Sequence, residues 1–362
     1  MNIFDETIAK CNNILPGHGP RRSMKEIFQT LADGLQGDEY SDRYGEGEYV
    51  AGFEAEIAEL FGKEAAVFMP SGTMAQQIAL RIWCEKRNNF TVAMHPTAHL
   101  EEAEHLGYQY LHPIKRIQFT APEFLGSRVL NVQDLDKMGK EPGVILLELP
   151  YRPLGGELPG WEDLVAMAAW AKERGIPFHM DGARIWSCRP FFQKEYREMA
   201  SLFDSLYISF YKDLGGLAGS MLLGPAAFIK ESRIWQRRYG GNLSTMAPLH
   251  VSARIGVQNI LPQIDSWVKR AQEVAAILSG FDRITIRPNP PHVNFFQMYI
   301  QGEPEALTQK HLELAKETGT FLFYGLGTTM VPGIAMTEIH CWENSLVFDL
   351  EKLPNFLERL LG

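Results

Sequence analysis

Between Ala65 and Gly219, short apolar runs and helix-length segments take turns. The runs are residues 65–69, 91–94, 144–149, 176–180 and 206–210, and segments 74–83 and 161–172 read as helices, the latter with Leu164, Ala168 and Ala171 on one face. Runs this short and this apolar are strands buried on both faces, and strands that alternate with helices pair in parallel. The pattern predicts an α/β fold whose mostly parallel sheet is covered by helices on both sides. The chain has 362 residues, of which 45% are hydrophobic and 22% charged. That suffices for a large domain and a smaller one. Residues 44–259 are expected to form the large domain. Residues 260–362 are expected to form a small α+β domain, with strands at 283–286 and 293–300, strand-like sequence at 339–348, and helices at 305–318 and 353–361. A long helical region, 246–279, links the two, and residues 1–43 pack as an N-terminal segment on the small domain.

Ligands of open α/β sheets bind outside the carboxyl ends of the strands. Run 176–180 ends at Asp181, with Arg184 three residues on. Run 206–210 is followed by Lys212 and then by Gly215, Gly216 and Gly219. An acid and a lysine at two such ends are placed to meet over one ligand. Their chemistry fits pyridoxal phosphate (PLP), with Lys212 forming the imine and Asp181 facing the ring nitrogen. Strand 65–69 breaks at Pro70-Ser71-Gly72-Thr73, where a helix begins. Helix N-termini bind phosphate, so Ser71, Gly72 and Thr73 are candidate cofactor contacts; plain helix capping is the competing reading. His99 opens a helix just after strand 91–94, where an imidazole can stack on a flat ring and share protons with it. A local hydrogen bond is the alternative, and it suits His95 and His105 better. Tyr151 and Arg152 follow strand 144–149 and can reach the same ligand. The loop 15–22 carries Arg21 and Arg22 and reads as a solvated basic loop, with Ser23 capping the next helix.

The formal net charge is −9 and no long basic run occurs, which argues against nucleic acid as the partner. The cysteines at 11, 84, 188 and 341 form no CxxC pair and read as free thiols of a reducing cytoplasm. The first residues lack the layout of a signal peptide, no apolar run is long enough to span a membrane, and no metal site is expected.

Four blocks occur in order: YGEGEYVAGFEAEIAELFGKEAAVFMPSGTMAQQIAL, AHLEEAEHLG, HMDGAR and KDLGGLAGS. Together they resemble the threonine aldolases, within the β-eliminating lyase group of fold-type I PLP enzymes, over residues 40–250. The resemblance implies a PLP-dependent transferase-like (aspartate aminotransferase-type) large domain. It also implies a lyase that cleaves the Cα–Cβ bond of a β-hydroxy-α-amino acid to glycine and an aldehyde. By the match, Lys212 is the Schiff-base lysine and Asp181 pairs with the ring nitrogen. Arg184 binds the substrate carboxylate, His99 is the ring-stacking histidine, and Gly72 and Thr73 contact the phosphate. The family forms homodimers or homotetramers with shared sites, which makes Tyr44, Arg237 and Arg238 candidates to reach a neighbour's site. The chain also departs from the family. Leu15-Pro16-Gly17-His18-Gly19 stands where the family has Ser-Asp-Thr-Val-Thr, and Tyr151 stands where it has a histidine near the β-hydroxyl. Tyr211 replaces a small hydroxyl residue before the lysine, and Thr337 falls near the place of a carboxylate-binding arginine. His99, then Tyr151, are the expected proton handlers. A β-eliminating lyase or aminotransferase on the same platform, and a non-catalytic PLP-binding protein, are the other readings. The amino acid, the stereochemistry at Cβ and the choice between dimer and tetramer stay open.

Overall fold

The computed structural model describes residues 3–19, 21–117 and 128–362, so Pro20 of the basic loop lies outside the described residues, as do Met1 and Asn2. The chain divides into two compact units. One comprises residues 22–153 and 158–262; the other comprises residues 1–21, 154–157 and 263–362.

The larger unit is built on a seven-stranded sheet. Its strands are β1 (Ala65–Met69), β2 (Thr91–Ala93), β3 (Lys115–Arg116), β4 (Val144–Glu148), β5 (Phe178–Gly182), β6 (Ser205–Ser209) and β7 (Ser220–Gly224), in the spatial order β1-β7-β6-β5-β4-β2-β3. β4, β5 and β6 pair in parallel, as do β2 with β4 and β3 with β2. β7 runs antiparallel to both of its neighbours, so β1 points the same way as β6. The carboxyl ends of β1, β4, β5 and β6 therefore open on one edge of the sheet. Each of β4, β5 and β6 is buried along its whole length, which is why these segments are apolar runs rather than alternating ones. Its helices include α1 (Met24–Asp33), α2 (Glu48–Leu60), α3 (Gly72–Arg87), α4 (His99–Glu102), α5 (Trp161–Glu173), α6 (Ala226–Arg238) and α7 (Ala247–Ile255). α3 packs Ala75, Ile78, Ala79 and Ile82 into a buried cluster with Tyr207 and Leu222. The expected cap of α1 is present as a full capping box between Ser23 and Glu26.

The smaller unit carries a four-stranded antiparallel sheet of β8 (Ile284–Arg287), β9 (Phe295–Gln301), β10 (Gly327–Thr328) and β11 (Ile334–His340), in the order β10-β11-β9-β8. Helices α8 (Ile264–Leu278), α9 (Pro304–Thr318) and α10 (Leu353–Leu361) belong to it. Ala271, Val274, Phe296, Met298, Leu314 and Phe356 share its core.

Three differences from the sequence reading have local causes. The strand expected at 339–348 lies earlier, at Ile334–His340, and Glu343–Val347 is a short helix. The polar triplet Glu343-Asn344-Ser345 interrupts the apolar pattern there, and the Ser345 hydroxyl donates to the Trp342 carbonyl at 2.6 Å. The region 246–279 is helical throughout from Ala247 to Leu278, but its winding changes, widening at Gly256–Ile260 and tightening at Leu261–Gln263, which contains Pro262. Residues 22–43 group with the larger unit, not with 1–21, because the end of α1 seats on α7: a Cβ on Gly34 would lie 2.6 Å from Ile255 Cδ1. Among the described residues, no helix is long and apolar enough to cross a membrane.

Candidate active site

Asp181 is the penultimate residue of β5, fully inside the sheet, in register with Glu148 of β4 on one side and Tyr207 of β6 on the other. Its carboxylate accepts the Ala183 backbone N–H at 3.0 Å. Lys212 sits three residues beyond β6 on a tight loop. The Gly216 N–H donates to the Phe210 carbonyl at 2.9 Å, and the Phe210 N–H donates to Gly219 at 3.2 Å. A Cβ on Gly216 would lie 2.8 Å from that Phe210 carbonyl oxygen, so the loop requires glycine there.

The charged groups at this edge act on one another. Burial, then the nearby Arg184, push the Lys212 amine below the ordinary lysine value; Asp181 pulls the other way, and Arg152 adds to the lowering. The His99 imidazole is held down first by burial and then by Lys212, with Asp181 opposing and Arg152 and Arg184 contributing. Lys212, Asp181, Arg184, Arg152 and His99 thus stand within electrostatic reach of one another at this edge.

Two further acids join it that the sequence reading did not single out. Glu148, at the end of β4, accepts the His99 backbone N–H, and burial followed by the charge of Asp181 lifts its carboxyl to about 8. Glu104 has a side chain only 3% exposed, with Oε1 at 3.9 Å from His99 Nε2. It accepts the Gln77 side-chain amide at 3.1 Å, and burial nevertheless lifts it to about 7. Thr73 faces the same carboxylate. A glutamate closing an apolar strand was the available signal for Glu148; nothing local marks Glu104.

The first turn of α3 meets the site from β1. Ser71 caps it, its hydroxyl accepting the Met74 N–H at 3.3 Å, so for this residue the capping reading holds. Gly72 is obligatory for packing: a Cβ there would lie 2.1 Å from the Tyr207 hydroxyl oxygen. Ser209, two residues along β6 on the same face as Tyr207, is fully buried, with its hydroxyl beside the Tyr207 phenol.

Two candidates lie elsewhere. Tyr151 is 0% exposed, and its ring meets His95 edge-on with centroids 5.0 Å apart. Its hydroxyl faces the Leu130 backbone and the charges of Glu148 and Asp134, and burial raises it well above the tyrosine range. The phenol is thus buried beside Glu148 and His95, and Tyr151 is not among the groups that chiefly act on Lys212. Tyr44 is 51% exposed. It lines a separate cavity of about 410 Å³ with Arg237, Arg238 and Asn242, whose lining includes none of Lys212, Asp181, Arg184 or His99.

A lysine and an acid at neighbouring carboxyl ends of a mostly parallel seven-stranded sheet define the class: this is the architecture of fold-type I PLP-dependent enzymes. Distant members share the fold, among them a serine palmitoyltransferase from Sphingomonas wittichii (TM-score 0.67, 15% identity, 92% of this chain and 82% of that one). The chain belongs to the beta-eliminating lyase family, whose model matches residues 21–301. It is similar to a candidate aromatic amino acid beta-eliminating lyase/threonine aldolase from Exiguobacterium sp. 255-15, with 35% identity and a TM-score of 0.91 over 99% of both chains. It is also similar to a candidate L-allo-threonine aldolase from Listeria monocytogenes, with 32% identity and a TM-score of 0.93 over 99% of this chain and 98% of that one. A low specificity L-threonine aldolase from Escherichia coli O157:H7 is 30% identical across 66% of this chain and 70% of its own length.

Proposed function

We propose that the protein is a PLP-dependent aldehyde-lyase that cleaves the Cα–Cβ bond of a β-hydroxy-α-amino acid to glycine and an aldehyde. The observation that carries this reading is the juxtaposition of a half-buried Lys212, its amine lowered by desolvation, with Asp181, Arg184 and His99 at one sheet edge. That donor set fits the cofactor. An amine that burial makes readier to give up its proton is suited to hold its aldehyde, and Asp181 is placed to keep a ring nitrogen protonated. The free N–H groups of the first turn of α3, with Thr73, suit its phosphate. When bound, PLP supplies the electron sink at Cα. Arg184, with Arg152 beside it, orients the substrate carboxylate, and a bidentate grip would fix which bond at Cα is broken. His99 would cover the ring and is the imidazole available to share the β-hydroxyl proton.

The test is release of aldehyde and glycine from threonine, allo-threonine and phenylserine by the purified, PLP-supplemented protein. Lys212→Ala is expected to abolish it, a loss of ~10³-fold or more, as for a residue that holds the reacting group. No aldehyde from any β-hydroxy amino acid would sink the reading. Because the Exiguobacterium neighbour's name includes β-elimination, pyruvate and ammonia are measured in the same samples; their appearance without glycine would favour that chemistry. The reading includes a cytoplasmic homo-oligomer, in keeping with four free cysteines and an exposed Tyr44 beside Arg237 and Arg238.

A further inference from the structure

Glu104 lies two residues past α4, on a loop with an unusual bend. The next two residues, His105 and Leu106, take left-handed backbone angles, with φ of 50° and 57°, which side chains bearing a Cβ rarely adopt in succession. Strain of this kind clusters at functional sites. The Glu104 side chain is only 3% exposed, while that of His99, which opens α4, is 40% exposed. Glu104 Oε1 stands 3.9 Å from His99 Nε2, within reach of charge and a small shift from a hydrogen bond. From α3 the Gln77 side-chain amide donates to the same carboxylate at 3.1 Å, and the Thr73 hydroxyl donates to it as well. Gly107 leaves room for that amide, since a Cβ there would lie 3.0 Å from Gln77 Nε2. The order outward is therefore α3, then the carboxylate, then the imidazole. A carboxylate held behind a histidine fixes which ring nitrogen carries the proton and offsets the charge of the imidazolium.

We propose that Glu104 is the positioning residue for His99: it holds the proton on Nε2, leaves the lone pair on Nδ1, and offsets the charge gained when Nδ1 takes the β-hydroxyl proton. In that step the O–H bond breaks and an N–H bond forms. The O–H electron pair becomes the second bond of the aldehyde carbonyl, and the Cα–Cβ pair passes to Cα. The inference rests on the lyase reading above and adds a residue that no strand-end motif contains. The surrounding charges set the working range of the pair. Lys212, Arg152 and Arg184 disfavour the imidazolium, Asp181 favours it, and Glu148 accepts the His99 backbone N–H. Asp181 disfavours an ionised Glu104 and Lys212 favours it, while the phenols of Tyr207 and Tyr211 face the same carboxylate. Burial is the largest influence on both members; it lifts Glu104 to about 7 and lowers His99 from 6.5, so their last shared proton leaves near neutrality. The competing role is structural, with Glu104 only tying its loop to α3.

Glu104→Gln separates the two, because its amide oxygen still accepts from Gln77 but carries no charge. In the PLP-supplemented protein this variant is expected to lower kcat for aldehyde release ~10²-fold with KM within about threefold. The acid limb of kcat/KM is expected to move down by about one pH unit, because the imidazolium has lost its counter-charge. A second readout uses cofactor-free protein with 15N-labelled histidine rings, the His99 signals being assigned by their loss in His99→Asn. There the wild type is expected to show the Nε2–H tautomer at alkaline pH, and Glu104→Gln the same downward shift in the His99 ring titration. A lowered rate with both titrations unmoved, or an Nδ1–H tautomer in the wild type, overturns the inference and leaves the lyase reading standing. A wild type that releases no aldehyde from any β-hydroxy amino acid removes the lyase reading and the proton-accepting role with it. Should Glu104→Gln fail to fold, the wild-type tautomer decides, together with Glu104→Asp, which keeps the charge and is expected to keep the wild-type limb.

Discussion

Glu148 illustrates how a single side chain can set a protein's response to pH. In the folded chain its carboxyl is raised from 4.5 to about 8, first by burial and then by Asp181. Glu104 is raised in the same sense, to about 7. A carboxyl whose folded value exceeds its unfolded one binds more protons when folded. Its contribution is therefore complete below the unfolded value and is lost as pH rises through the folded one. Cofactor-free wild type is thus expected to melt at progressively lower temperature between pH 4.5 and about 8. Glu148→Gln and Glu104→Gln should flatten that decline, because an amide has no proton to lose; identical slopes in all three proteins would refute the assignment. At this scale the sequence reveals the lysine, the acid, the arginines and His99, since each ends or follows an apolar run. Glu104 is hidden because its role depends on Gln77 and His99 arriving from other elements. Tyr151 misleads because position after a strand does not say which way the chain turns: its ring went into the core.

The junction between β1 and α3 carries the next consequence. A strand, a one-residue cap and a sixteen-residue helix meet with no spare volume at Gly72, where an added methyl would lie 2.1 Å from a phenol oxygen and 2.4 Å from its ring carbon. Gly72→Ala forces either Tyr207 or the helix end to move, at a cost of ~1–3 kcal/mol, the usual range for overpacking. The prediction is a lower urea midpoint together with weaker PLP binding. A variant with wild-type stability and affinity would show the contact to be soft. Strands β1, β2, β4, β5 and β6 are legible because both faces are apolar, whereas β3, the charged pair Lys115–Arg116, carries no such signal. The reversal of β7 is not, since Ser220–Gly224 reads the same in either direction. The strand of the smaller unit near 334–340 escapes for the opposite reason: only Ala335 and Ile339 on it are fully buried, so its apolar signal is weak.

Across the whole molecule, the exposed trio of Tyr44, Arg237 and Arg238 around one cavity stands apart from the Lys212 cluster. If one subunit supplies these groups to its neighbour, Arg238→Ala is expected to lower activity without changing the melting temperature by more than ~2 °C, the scale of a surface change. Mixing Arg238→Ala with Lys212→Ala should then regain part of the wild-type rate, since hybrid pairs contain one intact site. No regain on mixing, with subunit exchange verified by light scattering of tagged chains, would assign both groups to their own chain's site. The expected division near residue 260, inside the helical link 246–279, lies close to the boundary between the two units at 262/263. The capture of Leu154–Glu157 by the smaller unit is not, because it depends on Gly155 fitting against Arg287 and Gln297, more than a hundred residues away.

The reversed strand β7 has one more implication. Since Ser209 lies opposite Ser220, the ten residues between them close a hairpin, and Lys212 is mounted on its bend. The nucleophile is thereby carried by a contiguous stretch of about twenty residues whose two rails hold each other. Its bearing is decided by neighbours in the chain, while the groups that choose the substrate come from distant ones. A lineage can therefore reshape what enters this pocket by altering remote loops, and the reactive amine keeps its aim.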